Sequence, residues 1–190
     1  MDWIREPHGA TVGIVGASHT GREMIRLCSV LELGALLLHD PYVTEQEAKE
    51  LGAEPVGLDE LMQRSDVVSL HTPNTEETHH LIDARNLALM RDRAIFINTA
   101  RGACVDEAAL VAELEKGRIL ACLDVTDPEP PEPESPLYRL PNCILTPHIA
   151  GAVKENTTMQ GRLVADEIAA FLDGQPLQHE VDLAQHDQLA

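Results

Sequence analysis

The segment Val12-Gly13-Ile14-Val15-Gly16-Ala17-Ser18-His19-Thr20-Gly21 decides the fold. Val12 to Val15 is a short apolar run of the kind that forms a buried strand. Beyond it, Met24, Ile25, Cys28 and Leu31 recur at helical spacing, which predicts a helix from His19 to Leu33 with Gly34 as its C-terminal stop. Between strand and helix lies a loop bounded by Gly16 and Gly21. The first glycine permits a tight turn and the last lets helix pack against strand. A pyrophosphate would then rest on the free N–H groups of the helix N-terminus. Ser18 stands where such loops carry a middle glycine, and a loop of this degenerate form also occurs as an ordinary strand-to-helix turn.

The same alternation continues outward. Ala35 to His39 reads as a second strand, ending at Asp40-Pro41. A helix around Glu45 to Leu51, a short strand near Glu54 to Val56, a helix from Leu58 to Arg64 and a strand from Asp66 to Leu70 follow. Asp83 to Met90 is helical and Ala94 to Ile97 a strand. Asp106 fits an N-cap for a helix that runs to Lys116 and stops at Gly117. After a strand from Ile119 to Leu123, six prolines between Pro128 and Pro141 forbid regular structure. Cys143 to Leu145 is a last strand, leading into a helix from Lys154 to Leu172 that is closed by Asp173-Gly174. The expected fold is α/β: a doubly wound, mostly parallel sheet of about seven strands with helices on both faces.

Charge narrows the partners. The chain has 190 residues, enough for one large domain or a small pair. With 32 acidic against 14 basic residues its net charge is −18, so it lacks the basic footprint of a nucleic-acid surface, and any anion site must be made locally. Cys28, Cys104, Cys122 and Cys143 have no C-x-x-C spacing, which predicts reduced, mostly buried thiols and no metal site. No apolar run approaches the roughly 20 residues of a membrane span, and Met1-Asp2-Trp3-Ile4 does not open a signal peptide. The expected location is cytoplasmic, away from membranes.

Four further residues stand at strand ends. Asp40 follows the second strand 19 residues beyond Gly21, where an acid accepts from ribose hydroxyls and repels a 2′-phosphate, favouring NAD over NADP. An aspartate before proline is equally a turn former. Arg101 in Ile97-Asn98-Thr99-Ala100-Arg101-Gly102, Glu129 in Asp124-Val125-Thr126-Asp127-Pro128-Glu129-Pro130, and His148 in Thr146-Pro147-His148-Ile149-Ala150-Gly151 each follow an apolar run. Ligands of open α/β sheets bind beyond the carboxyl ends of the strands, so a cation, a carboxylate and an imidazole would meet at one crevice. Each also has a plain reading: a structural or solvent-facing histidine, an arginine paired on the surface, a glutamate that solvates its loop. By composition Pro128 to Pro141 is a linker. Glu129 within it favours a rigid loop that carries a carboxylate over the strand ends.

In order and wording these segments resemble the D-isomer-specific 2-hydroxyacid dehydrogenases, the phosphoglycerate dehydrogenase-like family, from about Thr11 to Val181. The resemblance implies NAD-linked interconversion of a D-2-hydroxy acid and a 2-keto acid. It implies cofactor contacts from Gly16, Ser18, His19, Thr20, Gly21 and Asp40, and from His71-Thr72-Pro73 with Thr78 near the pyrophosphate and the nicotinamide-side ribose. It adds Thr99, Ala100 and Arg101, Asp124 at the nicotinamide carboxamide, and His148 and Gly151. In this reading His148 takes the hydroxyl proton, for which imidazole is suited because it titrates near working pH. Glu129 orients the ring and stabilises the imidazolium, and Arg101 grips the substrate carboxylate with its planar fork. In the reductive direction His148 donates the proton.

Full-length members have two domains, the substrate domain coming mostly from an N-terminal segment on the order of 100 residues. Here strand one begins within a dozen residues of Met1. Residues 1–190 are therefore expected to form a single NAD-binding domain with a C-terminal crossover helix and tail near 152–181 and no N-terminal substrate domain. The chain is then either an excised domain or a truncated product. Glu167, Ile168, Phe171 and Leu172 would lack their packing surface, and the chain alone would bind NAD(H) with little turnover. A homodimer through this domain is expected. The alternative is a non-enzymatic NAD-sensing interaction or dimerisation module, like the dehydrogenase-derived transcriptional corepressors that keep the same triad. The charge of −18 and the lack of an appended recognition segment argue against it.

Overall fold

In the computed structural model, which describes residues 6–151 and 153–181, every pair of neighbouring strands is parallel. The strands are β1 (Thr11–Val15), β2 (Ala35–His39), β3 (Glu54–Pro55), β4 (Val67–Leu70), β5 (Ile95–Asn98), β6 (Leu120–Leu123) and β7 (Cys143–Leu145). They lie in the order β3-β2-β1-β4-β5-β6-β7, which reverses direction at β1 and opens a crevice between β1 and β4. The α-helices are α1 (His19–Cys28), α2 (Glu45–Glu50), α3 (Leu58–Arg64), α4 (Ala84–Leu89), α5 (Glu107–Glu115) and α6 (Lys154–Leu172). None of the described helices is long and apolar enough to cross a membrane.

Side-chain caps set the starts of α1, α2, α4 and α5. Thr44 and Glu47 form a reciprocal capping box on α2, as Asp83 and Asn86 do on α4, and Asp106 accepts from Ala109 N at 3.0 Å on α5. Each supplies an acceptor to an N–H that the helix leaves unpaired.

Alternate residues of the central strands face opposite helix layers. Ile14 and Leu38 pack with Ile25 of α1 and Ala48 of α2. On the other face Val15, Leu37, Val68 and Phe96 pack with Leu61 of α3, Leu87 of α4 and Leu110 of α5. Full burial of each large apolar side chain contributes roughly 1.5–3 kcal/mol, so the two half-cores hold both layers on the sheet.

Register matters most for function. His39 pairs with Val15, Val15 with Leu70, Leu70 with Asn98, Asn98 with Leu123, and Leu123 with Leu145. These residues form one row across the sheet. The loops after β1, β2, β4, β5, β6 and β7 therefore all leave from one level at the carboxyl edge.

Three expectations need correction. The first helix ends at Cys28, not Leu33: the Ser29 hydroxyl and N–H both donate to Arg26 O, and Glu32 is left-handed at φ 48°. Gly34 is consequently no helix stop; it lies in the loop beyond, where its N–H donates to Ala10 O at 2.9 Å. The proline-rich stretch is not wholly irregular, because Pro136–Tyr138 forms a 3₁₀ turn with proline at its permitted first position. The thiols are all free, with Cys28 and Cys104 buried and Cys122 and Cys143 partly exposed. On α6, Ile168, Phe171 and Leu172 are exposed as expected, whereas the Glu167 carboxylate accepts from the backbone of Gln178 and His179.

Candidate cofactor and catalytic site

The loop after β1 is built by close approach. Gly16 has φ +94°, and a Cβ there would stand 2.9 Å from the His71 carbonyl carbon and Thr72 N. A Cβ on Gly21 would stand 2.1 Å from Gly16 O. Both glycines are therefore required for the loop to fold against β4. Ser18 is different. It has an ordinary extended conformation (φ −60°, ψ 177°) and caps α1, its Oγ accepting from Gly21 N at 3.3 Å. This loop thus has no backbone need for a middle glycine. His19 and Thr20 are exposed at the helix N-terminus.

Asp40 accepts from Ala17 N at 2.6 Å through one oxygen and from Tyr42 N at 2.8 Å through the other. A carboxylate offers about four acceptor positions, so two remain for a ribose diol. Between these loops lies a cavity of about 390 Å³ bordered by Gly16, Ser18, His19, Asp40, Thr72, Pro73 and Thr78. That volume falls within the usual range for small-molecule sites. Among the described residues Thr72 Oγ1, buried there, has no hydrogen-bond partner, an orphan that a bound ligand would satisfy. A glycine cradle, a helix N-terminus, spare carboxylate acceptors and an orphan hydroxyl around one cavity fit a dinucleotide.

Two neighbours have structural duties. His71 is buried with Nε2 at 2.9 Å from Ser69 Oγ, and burial pushes its pKa down. The Thr78 hydroxyl donates to Pro73 O at 2.6 Å and accepts from Thr75 N at 2.9 Å, which shapes the loop after β4.

Further along the row stand the three charged residues. Asn98, buried at the end of β5, donates to Arg101 O at 2.9 Å and accepts from Ala100 N at 3.0 Å, so one side chain folds the turn that carries Arg101. Arg101 is exposed, with Nη1 donating to Ala100 O at 2.6 Å. Gly102 packs so tightly on the next loop that a Cβ would meet the Thr126 carbonyl at 2.1 Å. After β7, the His148 N–H donates to Asp124 O at 3.0 Å, and His148 takes the left-handed φ of 54°. Its Nδ1 lies 2.5 Å from Glu129 Oε1. The pair borders a second cavity, of about 590 Å³, together with Asp124.

Asp124 holds the histidine loop. Its carboxylate is buried and accepts from Thr146 Oγ1 at 2.6 Å and from the N–H groups of Ile149 and Ala150, each at 2.8 Å. Burial alone pushes its pKa up, but the Thr146 hydroxyl and these two N–H groups outweigh it and bring the pKa below the ordinary carboxylate value.

Most of the residues expected at the site thus converge, in two groups. The first cavity gathers the β1 loop, Asp40 and Thr72 to Thr78, and the second gathers Asp124, Glu129 and His148. Thr20, Gly21, His71, Thr99, Ala100, Arg101 and Gly151 border neither. Among the described residues no hydrogen bond or ion pair links Arg101 to Glu129 or His148; β5 and β7 are two strand spacings apart, about 10 Å. Sequence reasoning passed over Asn98 and Gly102. The signal for Asn98 was a polar residue closing an apolar strand, where burial obliges it to find partners.

Residues 2–150 match the family model for the D-isomer specific 2-hydroxyacid dehydrogenase, NAD binding domain. Among curated proteins, D-3-phosphoglycerate dehydrogenase of Archaeoglobus fulgidus is 38% identical over 179 residues, covering 94% of this chain and 34% of that protein. Glyoxylate reductase of Korarchaeum cryptofilum is 41% identical over 169 residues, covering 88% and 51%. Among solved structures, D-mandelate dehydrogenase of Rhodotorula graminis superposes with a TM-score of 0.82 at 34% identity, covering 94% of this chain and 52% of that one. The chain spans between about a third and a half of the length of these relatives.

Proposed function

Since the chain belongs to the D-isomer specific 2-hydroxyacid dehydrogenase family through its NAD-binding domain, we propose that it binds NAD(H) in the crevice between β1 and β4 and supplies Arg101, Glu129 and His148 to the interconversion of a D-2-hydroxy acid and a 2-keto acid. The observation that carries this reading is the Glu129–His148 contact, set in the same row of strand ends as the Gly16–Gly21 loop. When bound, the nicotinamide accepts or returns the hydride.

The chain's own residues handle the proton and the substrate charge. Glu129 accepts a hydrogen bond from Nδ1–H of His148, which leaves the Nε2 lone pair as the base for the substrate hydroxyl. In reduction the same nitrogen returns the proton. Arg101 commits one N–H to Ala100 O and offers the rest of its fork to the substrate carboxylate, fixing the plane in which the reacting carbon lies. Asp124 and Asn98 keep the histidine and arginine turns in place.

NAD is the preferred cofactor in this reading. The Asp40 carboxylate at the ribose position opposes a 2′-phosphate, and Glu47 and Glu77 border the same cavity. Turnover by the chain alone is low. The His148 and Glu129 side chains are 52% and 41% exposed, so water reaches the proton-transfer pair that a closed active site would exclude. The domain is also expected to dimerise, which light scattering on the purified chain would decide.

Calorimetric titration with NADH, and with NADPH as comparator, tests the proposal. Saturable binding that favours NADH is expected, with negligible steady-state oxidation of NADH by glyoxylate, hydroxypyruvate or pyruvate. A folded sample that binds neither nucleotide would overturn it.

A further inference from the structure

The side chain of Tyr42 has no role in the cofactor reading and Glu77 enters it only as a charge, yet the two touch across the cavity. Tyr42 follows β2 and Glu77 follows β4, the two strands that flank β1. Their side chains both border the cavity of about 390 Å³, and the Tyr42 phenol donates to Glu77 Oε2 at 2.5 Å over a sequence separation of 35 residues. The bond therefore passes over the carboxyl end of β1, where the Gly16 loop lies.

Both ends of the link are anchored. Asp40, which the cofactor reading puts at the ribose, accepts from Tyr42 N at 2.8 Å and so fixes the base of the tyrosine. Glu77 sits in the turn that Thr75 and Thr78 build, their side chains hydrogen-bonded at 3.2 Å. The Glu77 carboxylate and its negative charge push the phenol pKa up, in keeping with Tyr42 as the donor of this bond. A charge-assisted O–H···O⁻ contact is among the stronger polar links, and here it joins the loop after β2 directly to the loop after β4.

We propose that Tyr42 and Glu77 form a clasp over the adenosine half of the dinucleotide site, closed in the free chain and reclosed on the bound cofactor, so that the pair sets the rate of cofactor exchange. This rests on the NAD reading above. Entry and exit both require the hydrogen bond to open, so its loss speeds both steps and moves the dissociation constant less than either rate. Tyr42 is 57% exposed and Glu77 is exposed, so replacing them leaves the core untouched.

Stopped-flow fluorescence of NADH with the full chain, chased by excess ADP-ribose, tests the clasp in Tyr42→Phe, Glu77→Gln and the double variant. Each single change is expected to raise the NADH dissociation rate about threefold to tenfold, the range for losing one such hydrogen bond. The double variant should release no faster than the faster single one, because both changes break the same link. Wild-type release rates in either single variant, or single effects that multiply in the double, overturn the clasp while leaving the NAD reading intact. Absence of NADH binding to the wild-type chain removes both.

Discussion

His148 Nδ1 and Glu129 Oε1 lie 2.5 Å apart although they stand 19 positions apart in the chain, with five of the six prolines of the loop between them. Neither residue belongs to a strand or helix. What brings them together is the flush ends of β6 and β7, paired Leu123 to Leu145, and the hold of Asp124 on the turn that carries the histidine.

That geometry fixes which ring nitrogen is protonated. The neutral His148 ring should carry its hydrogen on Nδ1, held by Glu129, and Glu129→Ala should shift the ring toward the Nε2–H form that solvent-exposed imidazole prefers. Long-range proton–nitrogen NMR on histidine-labelled protein distinguishes the two forms. An Nε2–H ring in the wild-type chain would falsify the orientation argued for the base.

Asp124 gives a pH signature. Its carboxyl pKa is lowered in the fold, so its contribution is complete above the unfolded value of about 3.9 and fades as pH falls through the lower folded value. Asp124→Asn should cost about 1–3 kcal/mol at pH 7, because the amide cannot accept all three hydrogen bonds. Below pH 4 the gap from wild type should narrow as the wild-type carboxyl takes up a proton. Urea unfolding midpoints at pH 7, 5, 4 and 3.5 follow this, and a gap that stays constant or widens in acid contradicts it.

The sequence revealed the sheet because every strand but β3 (Glu54–Pro55) is an apolar run bounded by a turn former, and it singled out Arg101, Glu129 and His148 because each follows such a run. The end of α1 was hidden: Leu31 keeps the helical spacing, but the Ser29 hydroxyl competes for Arg26 O and ends the ladder three residues earlier. Ser18 read as a defect in the phosphate loop because the pattern expects glycine there, while its actual work, capping α1, depends on a backbone angle that a pattern does not specify. The Tyr42–Glu77 link and the seating of Gly102 on Thr126 were beyond reach for another reason. Both join loops from different strands, and only the register of the sheet decides which loops meet.

Gly102 links the arginine turn to the glutamate loop. Adding a methyl group by Gly102→Ala would drive Cβ into the Thr126 carbonyl, which is backbone and cannot swing aside. Overpacking of this kind typically costs about 1–3 kcal/mol, and here the strain would displace the segment that leads to Glu129. Gly151→Ala is the control, since among the described residues nothing lies within 4 Å of its Cβ, and it should change stability by no more than about 0.5 kcal/mol. Equal effects of the two substitutions on urea unfolding would remove Gly102 from the architecture of the site.

Thr72 separates stability from binding. Its hydroxyl is buried at the proposed cofactor cavity with no partner among the described residues, so the free chain carries the desolvation cost of an unsatisfied polar group. Thr72→Val keeps the shape and removes the orphan. The free chain should become more stable, by up to about 1 kcal/mol in urea unfolding, because a group that gained nothing in the fold is gone. If that hydroxyl waits for the dinucleotide, the same variant should bind NADH about threefold to tenfold more weakly by calorimetry. A variant that gains stability and keeps full affinity would make Thr72 a packing residue and detach it from the cofactor. One that loses both would mean that the hydroxyl already has a partner in solution.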